Sequence, residues 1–80
     1  MKHAREDYNR IQDPENKIPE DEPVFLLRGQ DITAPAIIRM WAQAQRQNPK
    51  ASKEIVMLAE QHANKMEEWQ KENTSKYADL

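Results

Sequence analysis

Residues 31–72 read DITAPAIIRMWAQAQRQNPKASKEIVMLAEQHANKMEEWQKE, and this stretch decides the fold because it joins helix-start signals to apolar residues at helical spacing. Asp31 and Thr33 are good N-cap residues, and Pro35 falls in the first turn, where its missing N–H costs little. The sequence therefore predicts a first helix over residues 33–46. Its apolar face is formed by residues that recur at helical spacing, namely Ile37, Ile38, Trp41 and Ala44 or Gln45.

A second helix is predicted over residues 49–72. Asn48 and Pro49 place an N-cap residue before a proline at the first helical position, which is a strong start signal. The inner face of this helix is predicted to carry residues with coiled-coil-like spacing, namely Ile55, Ala59, His62, Met66 and Trp69. Since only one or two residues would separate the helices, we predict an antiparallel helical hairpin.

An apolar stretch, VFLLR at residues 24–28, precedes the hairpin and predicts one short strand or extended segment. A lone strand leaves backbone groups without hydrogen bonds, so this one must pair with a second copy or pack on the helices. An antiparallel pair across a twofold axis is the favoured arrangement. Gly29, the only glycine in the chain, is expected to supply a turn with positive φ.

Residues 1–23 are acidic, contain three prolines and have few large apolar side chains, which predicts an extended or flexible arm. Tyr8 and Ile11 lie one helical turn apart, so a short helix could form there on docking. The strand and the hairpin then form one domain over residues 24–72. Residues 73–80 form a tail that is expected to fray unless Tyr77 and Leu80 dock. The predicted fold class is mainly α.

Eighty residues make one domain at most, and the 17 large apolar side chains from Val24 onward leave a monomer short of apolar burial. We therefore predict a homodimer or a higher oligomer. No apolar run approaches the 18 residues of a membrane span and the first residues are charged, so we expect a cytoplasmic protein without membrane contact. The net charge of −2 favours neither DNA binding nor DNA mimicry.

No residue pattern in the chain points to catalysis, a cofactor or a metal. His62 has Leu58 and Met66 four residues away on either side, and neither can bind a metal ion, so it is predicted to be a packing histidine. The carboxylates lack apolar neighbours that would raise their pKa for acid–base work. One glycine cannot build a phosphate-binding loop. We predict that the protein is not an enzyme.

Two other features can be interpreted either as structural or as functional. The basic residues around the hairpin turn form either a solvated helix end, which is the favoured interpretation, or an anion-binding patch. They are Arg39, Arg46, Lys50 and Lys53. Trp41 and Trp69 are expected to be core or interface anchors, because tryptophan is common in both settings.

Residues 18–31 read IPEDEPVFLLRGQD. This box resembles a group of small proteins of unassigned activity encoded by tailed bacteriophages and prophages, which share the pattern I-P-x-D-E-P-V-F-L-x-R-x-Q-D. The likeness extends over residues 11–72, with an aromatic residue near Trp41 and an ending similar to Met66-Glu67-x-Trp69. The resemblance implies a phage origin, an accessory role and a location in the bacterial host cytoplasm.

The leading hypothesis is that the protein acts by binding, as an inhibitor of a host enzyme or defence complex. An alternative is an oligomer that binds an anionic nucleotide between subunits through Arg28, Arg39 and Trp41. A nucleic-acid-binding accessory protein is less favoured. Several box residues are more polar than a strand and turn require, although Asp31 could simply cap a helix and Arg28 could pair locally. The candidate binding residues are Glu22, Phe25, Arg28, Gln30, Asp31, Arg39 and Trp41.

Overall fold

The computed structural model describes residues 2–3 and 13–77. Its elements in chain order are β1 (Lys2–His3), β2 (Pro23–Val24), α1 (Ala34–Arg46) and α2 (Lys53–Glu72). Later residues of α1 pair with earlier residues of α2, so the helices run antiparallel. The prediction of a mainly helical chain built on a helical hairpin is confirmed. Within the described ranges, neither helix has the length and apolar content needed to cross a membrane.

The start of α1 lies within one residue of its predicted position. The Asp31 carboxylate accepts hydrogen bonds from the Thr33 backbone N–H at 2.9 Å and from the Thr33 hydroxyl at 2.7 Å. Thr33 occupies the N-cap position, and Pro35 lies in the first turn, where no N–H is needed. Asp31 therefore shapes the turn that leads into the helix.

The start of α2 differs from its prediction. The Asn48 side chain accepts from the Lys50 N–H at 3.0 Å, and the Asn48 carbonyl accepts from the Ala51 N–H at 3.0 Å, so Asn48 closes a turn instead of capping a helix. Ser52 is the actual N-cap, because its hydroxyl accepts from the Ile55 N–H at 3.3 Å. The connection thus covers residues 47–52, which is an ordinary length between packed helices.

The inner faces of both helices are rotated relative to their predicted positions. On α2 the buried residues are Val56, Ala63 and Met66. Of the predicted seam, Met66 is buried and Ala59 is partly buried, whereas the other residues are exposed, namely Ile55, His62 and Trp69.

On α1 the buried residues are Ala34, Pro35 and Ala42. Two residues of the predicted face are partly buried, namely Ile38 and Gln45, and three are exposed, namely Ile37, Trp41 and Ala44. Small residues between two helices let their backbones approach closely, and large side chains at the same positions would hold the helices apart. The small residues therefore occupy the contact, and both tryptophans lie outside it.

The strand prediction also needs correction. Within the predicted stretch 24–28, only Val24 belongs to a strand. This strand, β2, pairs in parallel with β1 of the same chain, in the register Lys2↔Pro23 and His3↔Val24. Phe25 and Leu26 lie beyond this strand and are exposed. β2 thus has a backbone partner within the chain, and the antiparallel pair between subunits stays a prediction.

Residues 13–18, which belong to the predicted arm, form a turn. The Asp13 carboxylate accepts from the backbone N–H groups of Lys17 and Ile18, both at 3.0 Å. Asn16 has a φ of 51°, a conformation that asparagine adopts more easily than most residues. The short helix predicted at Tyr8 and Ile11 lies outside the described residues.

The tail is held to the segment before α1 by backbone hydrogen bonds. The Lys76 N–H donates to the Gln30 carbonyl at 2.8 Å, and the Ile32 N–H donates to the Lys76 carbonyl at 3.0 Å. Tyr77 is exposed, and Leu80 lies outside the described residues. The backbone at Lys76, rather than a docked aromatic ring, ties down this part of the tail.

Gly29 does not have the positive φ that was predicted for it. A Cβ at this position would lie 3.7 Å from the Met66 Cγ, which is ordinary van der Waals contact. We therefore expect Gly29→Ala to raise the free energy of unfolding by about 0.4–1 kcal/mol, because alanine restricts the unfolded chain more than glycine does. Chemical denaturation of both proteins measures this difference, and a clear loss of stability would contradict the backbone geometry described here.

Candidate functional site

A groove of about 350 Å³ lies between α2 and the segment that precedes α1. We call it the Trp69 groove. One wall is formed by residues 27–30 and the other by one face of α2. Its lining residues are Leu27, Arg28, Gly29, Gln30, His62, Lys65, Met66 and Trp69.

The α2 wall follows from helical spacing. His62, Lys65, Met66 and Trp69 are separated by three, one and three residues, which places them on one side of the helix. Met66 is the most buried of the four, at 9% exposure, whereas 44% of the Trp69 surface is exposed. Met66 therefore forms the apolar bottom of the groove, and the Trp69 indole is accessible at its side.

The opposite wall is held in place by Gln70. Its side-chain amide donates to the Gly29 carbonyl at 2.9 Å and to the Asp31 carbonyl at 2.8 Å. Both bonds are partly buried, and each such bond contributes about 1 kcal/mol to stability. Together with the backbone bonds to Lys76, they fix the position of residues 29–32 against α2.

The fully charged side chains that line the groove are cations. Arg28 comes from the first wall and Lys65 from α2, and the His62 imidazole lies one turn before Met66. An indole beside cationic groups suits a ligand that combines an apolar or aromatic group with a negative charge. The groove can thus bind and orient such a group.

The other side of the hairpin is occupied by ion pairs. Arg39 donates to Glu67 and, at 2.8 Å, to the Asn64 side chain, while Arg46 pairs with Glu60 at 2.5 Å. The hydrogen bond from Arg39 holds the pKa of the Glu67 carboxyl below its usual value and raises the pKa of the Arg39 guanidinium. These exposed ion pairs connect α1 to α2, and each arginine already has a glutamate partner.

A second cavity, of about 330 Å³, lies at the hairpin turn. Arg46 and Lys53 from the predicted basic cluster line it, but Glu60 lines it too and pairs with Arg46. The carboxylate offsets the positive charge that an anionic ligand would require. We therefore regard the Trp69 groove as the better candidate site.

The structure separates the predicted binding residues. Arg28 and Gln30 lie in the Trp69 groove. Asp31 shapes the start of α1, the Glu22 N–H closes a turn on the Pro19 carbonyl at 3.1 Å, and Phe25 is exposed near β2.

Arg39 and Trp41 are two positions apart on α1, so their side chains point about 200° apart around the helix. Arg39 lies on the ion-paired side, whereas Trp41 is half-exposed on the other side. Of the three residues proposed for a nucleotide between subunits, Arg39 and Trp41 therefore lie on different sides of α1.

Lys65 was not among the predicted site residues, and His62 and Trp69 were predicted to lie inside the contact between the helices. A second stripe, spaced 3, 4, 3 and 4, shares two residues with the predicted one and differs at the other three, namely Val56, Ala59, Ala63, Met66 and Gln70. Its alanines are the signal that could have identified the true contact face, since small residues favour close helix approach.

The described residues contain no group of three or more histidine, cysteine or acidic side chains arranged to hold a metal ion. No protein-family model, curated protein or solved structure matches the chain. The groove and the exposed surface around it are therefore the features that bear on the function of this chain.

Proposed function

We propose that the chain is a non-catalytic accessory protein that acts by binding a partner protein through the Trp69 groove. The observation that supports this is the half-exposed Trp69 indole beside Arg28 and Lys65 in a groove whose fully charged lining residues are all cations. Tryptophan and arginine are the residue types most often found at the energetic centres of protein interfaces.

The groove chemistry suggests what the partner presents. Met66 and Trp69 favour an apolar or aromatic side chain, and the two cations favour carboxylates next to it. The partner segment is therefore an apolar anchor flanked by acidic residues. The resemblance of residues 18–31 to phage-encoded proteins supports a host protein as the partner, bound in the host cytoplasm and inhibited by an oligomer of this chain.

A charge reversal at the groove tests this proposal. Lys65→Glu changes an exposed groove residue, and Lys50→Glu makes the same change in the hairpin turn, outside the groove lining. We expect wild-type protein and Lys50→Glu to capture the same bacterial protein from lysate. We expect Lys65→Glu, with unchanged circular dichroism, to bind the purified partner at least about tenfold more weakly, because a repelled charge replaces an attracted one.

Equal capture of the partner by the two variants would show that the binding surface lies outside the groove. Failure of the wild-type protein to bind any bacterial protein would contradict the proposal as a whole. The purified partner then allows direct titration by calorimetry, in which rising salt should weaken the complex because exposed charges are screened.

An anionic nucleotide is a second candidate ligand, because Trp69 can stack on a base while Arg28 and Lys65 contact phosphate. This version uses the groove residues and not Arg39 and Trp41. A thermal-shift screen against nucleotides separates the candidates, since a ligand at 100 times its Kd adds about 2.7 kcal/mol of stability. Stabilisation that Lys65→Glu abolishes would favour the nucleotide, and no shift by any nucleotide would favour the protein partner.

A further inference from the structure

We infer that a second copy of the chain packs on one face of the hairpin, so that two hairpins form a four-helix bundle. This rests on the proposal that the chain is an oligomer, and it names the surface. The face is exposed and apolar, and α1 and α2 both contribute to it. We call it the apolar face, and its residues are Ile37, Met40, Trp41, Ile55 and Leu58.

The ion pairs identify the side of the hairpin on which this face lies. Arg39 and Arg46 contact Glu67 and Glu60, which marks one side of the helix pair as polar. A residue two positions away on a helix is turned by about 200°, and Trp41 is two positions from Arg39 while Leu58 is two positions from Glu60. Both side chains therefore point to the side opposite the ion pairs.

The remaining members extend the same surface. Ile37 also lies two positions from Arg39, and Met40 and Trp41 follow it at i+3 and i+4. On α2, Ile55 lies three positions before Leu58 and shares its side of the helix. The face thus consists of one apolar stripe on each helix.

The hairpin alone buries little apolar volume. Its buried apolar side chains among the described residues are small except for Met66, namely Ala34, Ala42, Val56, Ala63 and Met66. All five residues of the apolar face are larger than alanine and are at least 43% exposed. A two-helix unit of this kind gains most from a second layer that covers its large side chains.

The area of the face matches what a dimer needs. With roughly half of each side chain uncovered, at about 200 Å² for a large side chain, the five residues offer roughly 500 Å² of apolar surface. A standard interface buries about 800 Å² per partner, of which about 65% is apolar in homodimers. The same face on a second copy supplies an equal apolar area. Two helices from each chain then pack in two layers, as in a four-helix bundle.

The apolar face and the Trp69 groove share no residues. Both lie on the side opposite the ion pairs, however, and Lys65 follows Leu58 by two helical turns on the same side of α2. The control for self-association therefore comes from the ion-paired side, where Met57→Glu should leave the dimer intact.

The chain has no cysteine, so single cysteines can report on contact between copies. Leu58 and Met57 are adjacent on α2 and are 47% and 50% exposed, but Met57 lines the hairpin-turn cavity with Arg46 and Glu60, on the ion-paired side. We expect a short bismaleimide to link Leu58→Cys into covalent dimers and to leave Met57→Cys monomeric. Wild-type protein should sediment at twice the chain mass of 9.4 kDa.

A charge on the face gives the complementary result. Leu58→Glu should sediment at 9.4 kDa while Met57→Glu, on the ion-paired side, keeps the wild-type mass. If Leu58→Glu does not fold, the cysteine pair still decides the question. Wild-type protein at the monomer mass, or equal cross-linking of the two cysteine variants, would overturn the inference and assign the apolar face to a different occupant.

Discussion

Met66→Ala is expected to lower the free energy of unfolding by about 2–5 kcal/mol, the range for truncating a buried methionine to alanine. Met66 is 9% exposed, and it is the largest of the buried apolar side chains in the described part of the chain. Its Cγ also lies against Gly29, so the truncation leaves a void between α2 and the segment before α1. The melting temperature should fall by at least about 8 °C, since 1 kcal/mol shifts a domain of this size by about 4–8 °C.

Met57→Ala is the matched control for this change. Met57 is half-exposed on the same helix, so its truncation removes the same atoms while opening no comparable void. Thermal and urea denaturation at one protein concentration compare the two variants, because the stability of an oligomer depends on concentration. Equal losses in both would show that Met66 is not the larger packing contribution.

Ala63→Leu is expected to destabilise the hairpin by about 1–3 kcal/mol through overpacking. Ala63 is 0% exposed on the face of α2 that meets α1, and Ala42 of α1 is 0% exposed as well. A leucine at this contact has no space, so the helices must separate and the ion pairs Arg39–Glu67 and Arg46–Glu60 must lengthen. We expect a lower melting temperature with the helical circular dichroism signal retained at low temperature.

Ala36→Leu provides the control, because Ala36 is exposed on α1 and has room for a larger side chain. Its effect on stability should lie within about 0.5 kcal/mol, as for most surface substitutions. A stable Ala63→Leu variant would mean that Ala63 does not lie in a close helix contact. The rotation of the inner face described above would then be wrong.

The helices could be predicted because their signals are local. Asp31, Thr33 and Pro35 lie within a few residues of the helix that they begin, so the start of α1 was predicted to within one residue. The start of α2 was missed because two local signals compete. Asn48 and Ser52 can each cap a helix, and Asn48 instead closes a turn with Lys50 and Ala51.

The contact face of α2 could not be predicted with the same certainty. Residues 55–59 read IVMLA, so two adjacent stripes both show the spacing of a helix contact. Periodicity alone does not choose between them, because both repeat every three or four residues. The choice depends on how closely α1 can approach, which favours Ala63 over His62 at the contact.

The Trp69 groove had no local signal at all. Its walls come from residues 27–30 and from α2, and the bonds that join them link Gln70 to Gly29 and Asp31, at sequence separations of 41 and 39. Arg28 and Gln30 were selected for their polarity in the resemblance box, whereas Lys65 and the exposure of Trp69 became evident only when the walls were assembled.

The sequence by itself determined that this protein is a helical hairpin, because capping residues, prolines and apolar spacing act within a few residues along the chain. Only the tertiary structure decided which side of each helix is buried, where β2 finds its partner, and which side chains line the groove. These outcomes depend on side-chain volume at the contact between α1 and α2 and on hydrogen bonds between distant residues. Such interactions form only after the chain has folded back on itself.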